Sequence, residues 1–231
     1  MYLSIVIPAY NEEKRITKTL LAVHVYLIAQ KYEYEILVVD DGSTDKTVQV
    51  VSDLKLPHLQ ILSNPQNHGK GFVVRQGLLA ATGQYRLFMD ADNATPINEV
   101  EKLLAEIETH DLVIGSRRGG SILLPQPLHR RILGKLYSLL VKTITGLYNI
   151  SDTQCGFKLL RADVARNVLP KCRANGWSFD VEILKVAKLH GYSIKEVPVA
   201  WSDGKDTKMK LTGMVNAVFE LLMIRWNTFH V

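Results

Sequence analysis

Glu35-Ile-Leu-Val-Val-Asp-Asp-Gly-Ser-Thr-Asp45 is an apolar run that stops at two aspartates and then turns through Gly42 into serine and threonine. A short run rich in branched side chains, without polar alternation, fits a strand buried on both faces of a parallel sheet. Residues 3–8 form a similar run that ends at Pro8, and between the two Ile16, Leu20, Val23 and Leu27 recur at helical spacing across 12–30. A third run at 59–62 precedes Asn64-Pro65, a helix is expected over about 70–81, and Tyr85–Met89 reads as a fourth strand ending in Asp90. Residues 98–108 read as helix and 111–115 as a fifth strand. Strand alternating with helix predicts an α/β fold with a parallel sheet. Ligands of such sheets sit beyond the carboxyl ends of the strands, and those ends carry the acidic residues.

After residue 116 the pattern changes. Gly119-Gly120 with Pro125 and Pro127 predicts a long loop. Leu133, Leu136, Tyr137, Leu140, Val141, Ile144, Leu147 and Tyr148 then make a helix over 132–148 that is apolar on several sides. Such a face packs in a core or meets an apolar partner. Residues 161–169 and 179–190 read as helices, 193–199 as a strand, and 211–226 as an amphipathic segment.

The 231 residues are 47% apolar and 22% charged, which describes a chain with a full-sized core and excludes a disordered, fibrous or disulfide-scaffolded protein. Cys155 and Cys172 are too few for a disulfide framework and lack zinc-ligand spacing. The net charge of +5 falls in short clusters: Arg117-Arg118, Arg130-Arg131 and Lys205, Lys208 and Lys210. Their spread argues against nucleic acid as a partner, and such a partner would leave unexplained four strand-end carboxylates that repel phosphate without a metal. The chain opens directly on a strand, so no secretory leader is expected. No uninterrupted apolar run reaches the roughly 18–20 residues of a membrane span: Lys135 and Lys142 break one candidate, Asn216 and Glu220 the other.

Asp40-Asp41-Gly-Ser-Thr-Asp45 presents carboxylates to a strand-end crevice, or forms a capped turn with Ser43 or Thr44 as the N-cap. A dinucleotide-binding site is disfavoured, because Pro8-Ala-Tyr-Asn-Glu12 after the first strand has no G-x-G-x-x-G. Asp90-Ala-Asp92 offers two carboxylates one residue apart, a donor set for Mg²⁺ or Mn²⁺ held jointly with a diphosphate.

In order along residues 4 to about 201, these strings together resemble the inverting family-2 glycosyltransferases: Ile7-Pro-Ala-Tyr-Asn-Glu-Glu13, Val38-Val-Asp-Asp-Gly-Ser-Thr-Asp-Lys-Thr47, Asn67-His-Gly-Lys-Gly71 and Met89-Asp-Ala-Asp-Asn93. Asp152-Thr-Gln-Cys-Gly-Phe-Lys158 and Trp177-Ser-Phe-Asp-Val-Glu182 are similar to the dolichyl-phosphate glucose synthase branch, near the dolichyl-phosphate mannose synthases. The resemblance implies a GT-A fold: a central, mostly parallel sheet flanked by helices, with C-terminal amphipathic helices. It divides the chain into a catalytic domain at 1–208, with a nucleotide-sugar half at 1–116 and an acceptor half at 117–208, followed by an amphipathic segment at 209–231.

The same resemblance implies metal-dependent inverting transfer of a hexose, glucose from UDP-glucose in the first instance, to a polyprenyl or dolichyl phosphate. Mannose from GDP-mannose, or a non-lipid glycan acceptor, stands as the alternative. Pro8, Tyr10, Glu12, Asp40, Asp41 and Lys70 would bind the nucleotide, with Asp41 accepting the base N–H. Asp90 and Asp92 would hold Mg²⁺ or Mn²⁺ on the diphosphate. Asn93, Gln154, Trp177 and Asp180 would shape the sugar pocket. Asp180 and Glu182 also suit a helix N-terminus, where the dipole favours acids. A phosphate monoester is largely a dianion at neutral pH, so its approach to a diphosphate needs cations more than a general base. Arg117 and Arg131 match the family's acceptor-phosphate arginines, Lys135 lies one turn beyond Arg131, and Lys208 is a further basic candidate. The expected partners are a nucleotide-sugar donor, a polyprenyl phosphate and the cytoplasmic face of a membrane, met peripherally through 132–148 and 211–226. Nothing in the pattern sets an oligomeric state.

Overall fold

The computed structural model describes residues 1–124, 128–202 and 211–228, without the side chains of 122–133, 135 and 211–215. The first half alternates as expected: β1 (Leu3–Ala9), α1 (Ile16–Ile28), β2 (Tyr34–Asp40), α2 (Thr47–Asp53), β3 (Leu59–Ser63), α3 (Lys70–Ala80), β4 (Tyr85–Met89), α4 (Val100–Ile107) and β5 (Leu112–Ser116). The second half holds β6 (Ile122–Leu124), α5 (Leu128–Thr145), β7 (Phe157–Arg161), α6 (Ala162–Val168), α7 (Phe179–Leu189), β8 (Ile194–Pro198), β9 (Trp201–Ser202) and α8 (Leu211–Asn227).

Seven strands form one sheet in the order β3-β2-β1-β4-β7-β5-β8. β1 pairs in parallel with β2 and β4, β2 with β3, and β5 with β8, while β7 runs antiparallel to both β4 and β5. The chain moves outward from β1 through β2 to β3 and then returns to β4 on the other side of β1. That reversal opens a crevice at the carboxyl ends of β1, β2 and β4.

Two apolar clusters cover the two faces. Val6, Leu37 and Val39 pack on one side with Val73, Val74 and Leu78 of α3, Val164 of α6 and Leu184 of α7. Leu3, Ile5, Ile7, Ile36 and Val38 pack on the other with Leu20 and Val23 of α1 and Leu103 of α4. Alternate side chains thus enter opposite cores, which is why the strand sequences are apolar without a break.

Three strands lie outside the sequence expectation. β6 and β9 form a two-stranded parallel pair where a loop is expected at 119–127. β7 fills the sheet's centre just before the helix that the sequence places at 161–169. Phe157-Lys-Leu-Leu-Arg161 is short and carries a lysine, so its periodicity does not separate strand from helix. The turn after β2 also differs from a cap at Ser43 or Thr44: α2 begins at Thr47, whose N–H donates to Asp45 Oδ1 at 2.9 Å, and Ser43 Oγ instead accepts the Asn11 N–H at 2.9 Å.

The apolar helix expected at 132–148 is α5, shifted toward the N-terminus. Its Val141 is buried, Tyr137, Leu140 and Ile144 pack against the core, and Leu136 and Leu139 face outward. α8 lies against α5, burying Ala217, Leu221 and Ile224 while Phe219, Leu222, Met223 and Trp226 are exposed. Arg225 of α8 donates to the Ile144 carbonyl at 3.0 Å. Among the described residues no helix is long and apolar enough to cross a membrane.

Candidate active site

The loops after β1 and β2 are stitched together along the crevice rim. Glu12 N–H donates to Thr47 Oγ1 (2.7 Å), Thr44 N–H to Asn11 Oδ1 (2.8 Å), Glu13 N–H to Asp45 Oδ2 (3.2 Å) and Lys46 N–H to Glu13 Oε2 (3.1 Å). Pro8 is buried within β1, Tyr10 is exposed at its end, and buried Glu12 is ion-paired with Arg15, whose Nη2 donates to Oε1 at 2.8 Å.

Asp40 and Asp41 are both buried at the end of β2 and have different surroundings. Asp41 accepts the His68 N–H at 2.7 Å and the Gly69 N–H at 2.9 Å, one on each oxygen, and so fixes the loop that enters α3. Burial, only partly offset by these bonds, raises its pKa. Asp40 Oδ2 accepts from Ser43 N–H (3.1 Å) and Ser63 Oγ (3.2 Å), while its Oδ1 is a buried acceptor with no hydrogen-bond partner among the described residues. Such an orphan is costly unless a donor reaches it.

Asp90 and Asp92 follow β4. Lys70, the first residue of α3, places Nζ 2.5 Å from Asp90 Oδ1 and lies about 5.3 Å from the ring centres of both Phe88 and Trp177. Burial would lower the Lys70 pKa, but the charges of Asp90 and Asp180 outweigh it and raise it, so the ammonium stays charged. Asp92 accepts the Ala94 N–H at 3.0 Å, and the protein packed around it together with the Asp90 charge raises its pKa. Gly156 makes room for this pair, since a β-carbon there would lie 2.0 Å from Asp90 Oδ2. Asn93, with φ of 54°, carries a second buried acceptor, Oδ1, that has no hydrogen-bond partner among the described residues. A carboxylate already bound to an ammonium beside a like-charged neighbour is a donor set that suits a hard divalent cation. Among the described residues no three histidine, cysteine or acidic groups could hold a metal unaided, so further oxygens would have to come from a ligand.

Arg117 follows β5 and forks onto Asp152, with Nε to Oδ2 and Nη2 to Oδ1 both at 2.7 Å. Burial alone would raise the Asp152 pKa; the two bonds and the guanidinium charge hold the carboxyl below its usual range. Glu196 of β8 supports the loop by accepting the Ser151 and Asp152 N–H groups at 2.8 and 2.7 Å. Gln154 is half-buried on the same loop. Trp201 lies 5.7 Å from the Arg117 guanidinium, and the adjacent Ser202 N–H donates to the Ala94 carbonyl beside the Asp92 turn at 2.9 Å.

The expected acids of the Trp177–Glu182 segment are drawn inward. Asp180 is ion-paired with fully buried Lys158 of β7, whose Nζ also donates to the Cys155 carbonyl at 2.6 Å. Glu182 accepts the Arg173 and Ala174 N–H groups at 2.8 and 2.7 Å. Trp177 remains partly exposed over Lys70. The structure thus brings Asp40, Asp90, Asp92, Asn93, Lys70 and Trp177 to one rim. The side chains of Arg131 and Lys135, and all of Lys208, lie outside the described residues. Sequence reasoning gave no role to Lys158, Glu196 or Gly156; the one local signal is a lysine inside the apolar Phe157–Leu160 run.

A family model described as Glycosyl transferase family 2 matches residues 4–169. A dolichyl-phosphate beta-glucosyltransferase of Trichomonas vaginalis is 39% identical across 97% of this chain and 71% of its own length. The protein of that name in Saccharomyces cerevisiae is 37% identical across 97% of this chain and 74% of its own. Among solved structures, Mycobacterium tuberculosis glucosyl-3-phosphoglycerate synthase in complex with Mn²⁺ and UDP-glucose aligns with a TM-score of 0.74 at 19% identity, covering 100% of this chain and 79% of that one. The structural likeness agrees with the strand order and crevice, and the family match spans β1 through α6, including both acidic strand ends: the chain belongs to glycosyl transferase family 2.

Proposed function

We propose that this protein transfers glucose from UDP-glucose to a dolichyl or related polyprenyl phosphate, with inversion, at the cytoplasmic surface of a membrane. The observation that carries the reading is the carboxylate pair Asp90 and Asp92 beside charged Lys70, at the mouth of the crevice. The names of the relatives support the sugar and the lipid. The Mn²⁺ and UDP-glucose held by the structural neighbour support the metal and the donor.

Asp90 and Asp92 would hold Mn²⁺ or Mg²⁺, which when bound would neutralise diphosphate charge and make the nucleoside diphosphate a better leaving group. A base N–H suits Asp41, each of whose oxygens keeps acceptor capacity beyond its bond to the 68–69 loop, or the buried orphan Asp40 Oδ1 at the same strand end. Asn93 Oδ1 suits a sugar hydroxyl. Arg117 spends two of its five N–H donors on Asp152 and keeps the rest for an incoming phosphate. The phosphate dianion attacks the anomeric carbon as the bond to the diphosphate oxygen breaks, so the chain's task is to orient it and balance charge. Residues 1–116 would serve the donor and 117–208 the acceptor, while the exposed side of α8 within 209–231 would face lipid.

Thermal unfolding tests the donor. UDP-glucose with Mn²⁺ should raise Tm by mass action more than GDP-mannose with Mn²⁺ does. An equal or larger shift with GDP-mannose would overturn the choice of sugar donor.

A further inference from the structure

The segment 173–178 passes between α3, which carries Lys70, and α8. Glu182 holds its start. Its end is held from 42 to 44 residues away by Glu220 of α8, which accepts the Gly176 N–H on Oε1 at 2.8 Å and the Ser178 N–H on Oε2 at 2.9 Å. Ser178 Oγ returns a bond to the Ala217 carbonyl at 2.9 Å. The carboxylate sits so close that a β-carbon on Gly176 would come within 2.3 Å of Oε1. On its other side the segment meets the first turn of α3, where Gly71 N–H donates to the Asn175 carbonyl at 2.7 Å. Trp177 lies between the two clamped N–H groups, over Lys70, and Lys70 reaches Asp90.

Resting on the donor site proposed above, we propose that Glu220 is a positioning residue for that site. Its carboxylate fixes the Gly176–Ser178 backbone, which sets the Trp177 ring over Lys70 and thereby the seat of the Lys70 ammonium on Asp90. Both oxygens are needed, because two backbone donors two residues apart must be met by two acceptors held in one plane. Alanine would leave both N–H groups without their partner. Glutamine would keep one acceptor and turn an NH₂ group toward the other donor. Because Glu220 belongs to α8, the position of that helix is felt at the metal carboxylate.

The test is a calorimetric titration of the protein with UDP in the presence of Mn²⁺, together with KM values for UDP-glucose and for a short polyprenyl phosphate. Glu220→Gln should weaken UDP binding about tenfold, the lower end of what outer-shell partners of a metal site contribute. The donor KM should rise in step and the acceptor KM should change less than about twofold. Trp177→Leu should give the same donor-side defect. The double variant should be no worse than the weaker-binding single variant, because both act through one path. Unchanged UDP affinity in Glu220→Gln, equal losses for donor and acceptor, or single effects that multiply in the double variant would overturn the proposal. If Glu220→Gln fails to fold, Trp177→Leu decides: unchanged UDP affinity there overturns it equally. Failure of the wild-type protein to bind UDP with Mn²⁺ would instead contradict the donor reading.

Discussion

At Asp90 an ammonium ion, Lys70, balances a carboxylate that has a second carboxylate two residues away. Asp92 is the member of the pair without that counter-ion, so its charge depends most on a bound cation. Asp92→Asn keeps the size and removes the charge; transfer should fall by more than about 100-fold, beyond the usual effect of outer-shell changes, with the circular dichroism unchanged. Undiminished turnover insensitive to EDTA would contradict the metal assignment. Arg117 gives a pH prediction. Asp152 has a depressed pKa when folded, so its pairing stabilises the protein above the unfolded carboxyl value of about 3.9 and the contribution fades as pH falls through the lower folded value. Arg117→Met should therefore cost about 2 kcal/mol at pH 7, less than the usual 3–5 kcal/mol for a broken buried pair because Arg117 is a third exposed. Urea unfolding at pH 7 and pH 3 checks this: the gap between variant and wild type should narrow at pH 3. At this scale the strand-end acids were legible, because polar residues directly after apolar runs have few places to go. The Lys158–Asp180 pair was not, because 22 residues separate its partners and only the antiparallel insertion of β7 brings them together.

Among the elements, β1 to β5, β8 and the helices α1, α3, α4 and α7 stand where the sequence places them, most plainly where burial is regular, as in β1 and the 16, 20, 23, 27 stripe of α1. β6 and β9 escaped because three and two residues give no period and their parallel pairing depends on a partner almost 80 residues away, and β7 because a lysine inside its apolar run leaves strand and helix unseparated. α5 and α8 were legible as apolar helices but not in how they divide their faces, which is set by their packing on each other. That division leads to a prediction. Phe219 and Met223 are 64% and 63% exposed on α8, so replacing both with serine should leave Tm nearly unchanged. It should reduce cosedimentation with anionic vesicles severalfold, since interfacial binding scales with buried apolar area. Use of a short water-soluble polyprenyl phosphate should be preserved. Unchanged vesicle binding at low salt would assign membrane contact to another surface.

In the whole molecule one sheet takes strands from both halves of the chain, with β7 seated between β4 and β5, and so would bring the proposed donor and acceptor residues to one rim. Asp90 and the Arg117–Asp152 pair are thereby anchored to the same rigid layer, and the Ser202 to Ala94 bond joins the second half to the Asp92 turn. The reaction class follows from the family. The proposed choice of glucose, uridine and lipid phosphate is what remains to be tested. One measurement tests that choice most directly: incubation of the purified protein with radiolabelled UDP-glucose, Mn²⁺ and dolichyl phosphate, followed by organic extraction. The account predicts that label enters the organic phase, only when Mn²⁺ and lipid phosphate are both present, and is released as glucose by mild acid. Label that stays in the aqueous phase under all these conditions, or that reaches lipid only when GDP-mannose is the donor, would contradict it.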